Sequence, residues 1–161
     1  AHAFGNAVKT AAQVVASRAG VAAIKLALNG FDTHSNQQGT QPRLLKELAE
    51  GLVALRAALV ELGRWEQTLV FTYCEFGRRP RENMSGGTDH GTANVQFALG
   101  GRVRGGLYGL PPALARLDGN GNLPFAIDFR DVYATVLERW WGGDAAVALN
   151  GRFRPLDILR A

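Results

Sequence analysis

The sequence predicts an α/β fold, a mainly parallel sheet with flanking helices, and three observations carry that expectation. An Ala-rich run over residues 5–18 precedes a short apolar run over residues 21–28. A leucine-periodic segment from Thr40 to Gly63 precedes a second run, residues 68–73, of β-branched and aromatic side chains. A strand, a helix and a strand in that order, joined by a connection of this length, imply a right-handed parallel crossover.

Residues 5–18 have few helix breakers and read as a helix ending near Gly20. Residues 21–28 (Val-Ala-Ala-Ile-Lys-Leu-Ala-Leu) are followed by Asn29-Gly30, which suits a buried strand closed by a turn. The surest helix starts at Thr40 as the capping hydroxyl, with Pro42 in the first turn. Leu44, Leu45, Leu48, Leu52, Leu55, Leu59 and Leu62 then recur at helical spacing. Residues 75–93 read as a long loop, and long loops in compact domains usually carry function. A third strand is expected over residues 95–99, followed by paired glycines that mark tight turns. Residues 109–127 are rich in Pro and Gly, Asp128 is placed to cap a helix that closes at Gly142-Gly143, and one short helical turn is expected after Asp144. No repeat or interdomain linker interrupts the 161 residues, so a single α/β domain is expected over 1–161.

Composition excludes several function classes. Lys25 and Arg56 interrupt the two best apolar runs, so neither approaches the ~20 residues needed to span a bilayer. The net charge of +4 comes from scattered residues, and the one dense basic cluster, Arg78, Arg79 and Arg81, lacks the interleaved aromatic platforms of single-strand binders. Nucleic acid is therefore not an expected partner. Cys74 is the only cysteine, which rules out an internal disulfide and a cysteine-based zinc site. The chain opens at Ala1 with no signal-peptide pattern, so a processed start or a fragment is expected.

Three clusters carry the residue types that do chemistry. The first, Gly30-Phe31-Asp32-Thr33-His34, follows the first expected strand, where open α/β sheets build their sites. Asp32 and His34 are two apart, so an extended backbone sends both side chains the same way. A carboxylate and an imidazole so placed suit zinc, manganese or iron; the plainer alternative is that Asp32 caps a turn and His34 orients it. The second cluster, Tyr73-Cys74-Glu75-Phe76-Gly77-Arg78-Arg79, follows the second expected strand, with Arg78 and Arg79 fit either to grip a phosphate or sulfate or to pair with acidic neighbours. The third, Gly86-Gly87-Thr88-Asp89-His90-Gly91, places an Asp-His pair between glycines that allow close backbone approach. Cys74 with His90 as base makes a nucleophile pair on paper, although a small cysteine ending a strand more often packs. His2, at a terminus expected to fray, earns no role.

These motifs, taken in order, resemble the bacterial family filed as domain of unknown function 1501. The resemblance rests on Gly-Phe-Asp-Thr-His, Cys-Glu-Phe-Gly-Arg-Arg and Glu-Asn-Met-Ser-Gly-Gly-Thr-Asp-His-Gly, and continues through residues 99–101, 105–109 and 128–133. Phe31 and Cys74 stand where that family usually has Trp and Ser. The family looks like a distant branch of the alkaline phosphatase and sulfatase superfamily, and the resemblance implies an alkaline phosphatase-like fold and metal-assisted hydrolysis of phosphate or sulfate esters. It implies Asp32, His34 and His90, with Asp89, as metal ligands, and Glu75 and Arg78 as catalytic residues acting on an anionic small-molecule ester. Phe76 falls where the superfamily has a metal-binding His, and the nucleophile lies in a first half this chain lacks. The resemblance therefore implies the C-terminal portion of a longer protein, partnered by its own N-terminal part, and an exported or periplasmic destination through a twin-arginine signal. Two readings result: a metal-dependent hydrolase fragment, incomplete as a catalyst, or a non-catalytic binding or scaffold domain of the same fold.

Overall fold

The computed structural model describes residues 2–160 and divides into two compact units. The first comprises Ala1–Thr68 and Arg81–Asp89, the second Leu69–Pro80 and His90–Ala161. Among the described residues the helices are α1 (Ala3–Ala16), α2 (Gln37–Glu61), α3 (Phe129–Ala134) and α4 (Ala145–Ala148). The strands are β1 (Val70–Phe71), β2 (Gly77–Glu82), β3 (Thr88–Gly91) and β4 (Ala98–Leu99).

The mainly parallel sheet with flanking helices is not what forms. The strands make two separate two-stranded sheets, β1 with β4 and β2 with β3. β1 and β4 run antiparallel, with Val70 opposite Leu99 and Phe71 opposite Ala98. Residues 21–28 are extended but belong to no strand, and Val21 and Ile24 are exposed, so the buried first strand is absent. A run of β-branched and apolar residues favours extended backbone, whereas a strand exists only where a neighbouring chain supplies the other half of the ladder. Without a first strand there is no parallel crossover. Residues 75–93, expected as a loop, instead contain the β2–β3 hairpin.

In the first unit, α1 packs on α2. Phe4, Val8 and Ala11 are buried on one helix, and Leu44, Leu55 and Leu59 on the other, with Leu59 only 1% exposed. Gly51 makes the approach possible, since a Cβ there would overlap the Phe4 ring. His2 does have a role: its Nδ1 accepts the Gly5 N–H at 3.2 Å and caps α1.

The N-terminus of α2 also differs from expectation. The helix begins at Gln37, after Asn36 in the left-handed region at φ 45°, so Pro42 sits inside the helix and not in its first turn. The early start has a non-local cause. The N–H groups of Asn36 and Gln37, which lack a partner within the helix, donate to the carbonyls of Ser85 and Gly86 at 3.3 and 2.9 Å.

The core of the second unit forms around α3, which continues as a π-helical turn over Thr135–Trp140. Ala134 and Thr135 are fully buried, and Val136, Ala145, Ile158 and Leu159 close around them. Thr135 is satisfied twice: its Oγ1 donates to the Asp131 carbonyl at 2.6 Å and accepts the Leu156 N–H at 2.7 Å. Asp128 caps α3 as expected, accepting the Arg130 N–H at 2.9 Å. The Arg130 guanidinium grips the same carboxylate, and these bonds hold the Asp128 carboxyl well below its usual range, at about 2.

Candidate metal centre

The first unit builds a small polar platform where the hairpin tip meets the segment leading into α2. Gly30, at φ +103°, turns the chain out of the extended segment, and the Thr33 N–H closes a tight turn onto the Phe31 carbonyl at 2.9 Å. Ser35 and Gly86 form an isolated antiparallel bridge, and the Thr88 N–H donates to the Thr33 carbonyl at 3.3 Å. Gly87 is buried beneath this junction. A Cβ at that position would overlap the backbone of Thr33 and His34, so only glycine lets the two segments lie this close.

Two amide side chains fasten the platform. Asn83 Nδ2 donates to the His34 carbonyl at 3.0 Å and to Asp89 Oδ1 at 3.3 Å, while its Oδ1 accepts the N–H groups of Ser85 and Gly87 at 2.9 and 3.1 Å. The Gln37 Oε1 accepts the hydroxyls of Thr33 and Thr88 at 3.2 and 2.9 Å. Thr33 is 5% exposed, so these bonds lie where water competes weakly.

On this base the His34 imidazole stands between two carboxylates. Its Nε2 lies 3.1 Å from Asp32 Oδ1 and its Nδ1 3.7 Å from Asp89 Oδ1. The three side chains are 48%, 60% and 55% exposed for His34, Asp32 and Asp89 respectively. Ion pairs this open contribute ~0–1 kcal/mol, so the fixed part of the platform is its buried backbone and the polar cluster is displayed rather than structural. Sequence spacing anticipated Asp32 and His34 together, and the structure adds Asp89 to them.

The donor set suits a divalent cation. Carboxylate oxygens with an imidazole nitrogen match zinc, manganese or iron, and two ionised carboxylates with a neutral imidazole carry two negative charges for the ion to balance. Each ring nitrogen of His34 faces its own carboxylate. One nitrogen is thus free to ligate while the other donates to a carboxylate that fixes the tautomer and ring orientation, the arrangement common to histidine ligands.

The remaining expected site residues lie in the second unit. His90 follows Asp89 on β3 and stacks on Phe76, with ring centroids 3.9 Å apart and planes 10° from parallel. The Arg78 guanidinium lies over the Phe76 ring at 5.1 Å. Arg79 Nε donates to Asn122 Oδ1 at 3.4 Å. Glu75 and Cys74 are both exposed. The sequence reading missed Asn83 and Gln37. The run Asn-Met-Ser-Gly-Gly did signal an Asx-type turn at Asn83, whereas nothing local marked Gln37, whose partners are four and 51 residues away.

Fold and platform together define a small α+β chain that displays an open carboxylate and imidazole cluster. The chain belongs to the family described as protein of unknown function (DUF1501), whose model matches residues 3–149. No curated protein and no solved structure matches it. Among the described residues no helix is long and apolar enough to cross a membrane.

Proposed function

We propose that this chain carries part of the divalent-metal centre of a hydrolase acting on phosphate or sulfate esters. The observation that supports it is the His34 imidazole held between the carboxylates of Asp32 and Asp89 on a backbone that Asn83 and Gly87 keep in place. In this reading Asp32, His34 and Asp89 are ligands, and His90, the next residue on β3, is another. A zinc, manganese or iron ion bound there would polarise an ester oxygen and offset charge that develops on it. The chain's own residues do the rest. Arg78 holds the anionic ester through paired N–H donors, and Glu75 exchanges protons with water or the leaving group. The sulfatase and phosphatase assignment follows from the motif resemblance, which also makes this chain the C-terminal portion of a longer, exported protein whose N-terminal part supplies the nucleophile.

Calorimetric titration with Zn²⁺ and with Mn²⁺ tests the reading. One ion should bind per chain, and Asp32→Ala, His34→Ala, Asp89→Ala and His90→Ala should each weaken binding at least ~10-fold, the scale on which even residues outside the ligand set act. A chain that takes up neither ion, or takes it up equally in all four variants, is a non-catalytic binding or scaffold domain.

A further inference from the structure

We propose that Phe76 is a positioning residue for His90, fixing the plane of its imidazole so that the ring nitrogen faces the metal ion; this rests on the metal reading above. Phe76 is half-buried and His90 is exposed, and the two rings lie face to face at 3.9 Å and 10°. The torsion that turns a histidine ring about its Cβ–Cγ bond has a broad, roughly two-fold profile, so the rotamer alone does not set the plane. An exposed histidine on a four-residue strand has little else to hold it. A parallel aromatic face at van der Waals distance blocks rotation out of the plane and leaves the ring edges clear, and the nitrogen lone pairs that bind metals lie in that plane.

The same geometry accounts for Phe76 in the segment Glu75-Phe76-Gly77-Arg78. Phe76 has no donor atom to offer a metal, yet its ring touches His90 on one count and lies 5.1 Å from the Arg78 guanidinium on another. Gly77 is buried, and a Cβ there would overlap the Ala93 backbone, so the chain on either side of Phe76 is pinned and the ring has a fixed base. Phe76 is therefore built as a rigid wall with an imidazole on it. Flat aromatic residues should substitute for it, and aliphatic residues of similar volume should not.

Zn²⁺ affinity by calorimetry, measured on the wild-type chain and on Phe76→Leu, Phe76→Tyr and Phe76→Trp, tests this. Phe76→Leu should weaken binding ~10–100-fold, as loss of a group orienting a ligand does, while Tyr and Trp keep an affinity near wild type. Unchanged affinity in Phe76→Leu, or equal losses in all three variants, overturns the positioning role and leaves the metal centre standing. A wild-type chain that binds no Zn²⁺ overturns both. Should Phe76→Leu lose the native amide spectrum, the carbon-bound ring protons of His90 in the wild-type chain decide. An upfield ring-current shift that persists on Zn²⁺ binding supports the stack as the ligating geometry, and its disappearance refutes it.

Discussion

Two glycine-rich stretches, the hairpin tip around residues 83–88 and the irregular segment over residues 104–127, look alike in composition and differ in how they are held. The tip is fastened by Asn83 and Gln37, by two carbonyls that cap α2 and by a glycine with backbone pressed against it. The irregular segment leaves Leu107 and Leu110 exposed, and its most local structure is a turn in which the Asp118 carboxylate accepts the N–H groups of Asn120 and Asn122 at 2.8 Å each. Glycine content marks both as non-helical, but only partners distant in sequence make one of them a platform.

The comparison breaks most readily at glycine. Gly87→Val should destabilise the chain by about 3 kcal/mol, the upper end for forcing atoms into packed space, and should scatter Asp32, His34 and Asp89. Gly119→Val, with nothing within 4 Å of its Cβ, should stay within ~0.5 kcal/mol of wild type. Urea midpoints of the two variants measure the contrast, and similar losses would mean that the tip is no more fixed than the irregular segment.

A smaller effect is expected at the staple. Asn83→Ala leaves the N–H groups of Ser85 and Gly87 and the His34 carbonyl without their side-chain partner, at a cost of ~1–3 kcal/mol. Amide hydrogen exchange should quicken at residues 85–88 and remain unchanged at Thr135. The smallest effect lies in the irregular segment itself. The Asn122 side-chain and backbone donors hold the Asp118 carboxyl below its usual range. Because its folded value is depressed, whatever the turn adds to stability is present above the unfolded value and is lost as pH falls through the folded one. A titration of the Asn120 and Asn122 amide shifts should show a midpoint below 3.8, and a midpoint at or above it would remove the turn.

Those contrasts also mark how far the sequence could be read. The two long helices were legible because alanine content and leucine periodicity are local, and the caps at Asp128 and Asp144 were legible for the same reason. The sheet was not, because pairing depends on residues far apart: the segment 68–73 keeps only Val70–Phe71 as strand, paired antiparallel with Ala98–Leu99, and the segment 21–28 keeps none. The α2 start moved from Thr40 to Gln37 through carbonyls nearly 50 residues downstream. At the candidate site, Asp32 and His34 could be paired from their spacing alone. Asp89 joined them because a hairpin brings it there, and the amides that fasten the hairpin have few local signatures.

The most direct test of the metal centre is anomalous diffraction at the zinc edge from crystals equilibrated with Zn²⁺. The account predicts a peak ~2.0–2.1 Å from a His34 ring nitrogen and ~2.0–2.2 Å from carboxylate oxygens of Asp32 or Asp89. A strong peak elsewhere, at Cys74 for instance, or no peak at the platform at full Zn²⁺ occupancy in solution, would contradict it.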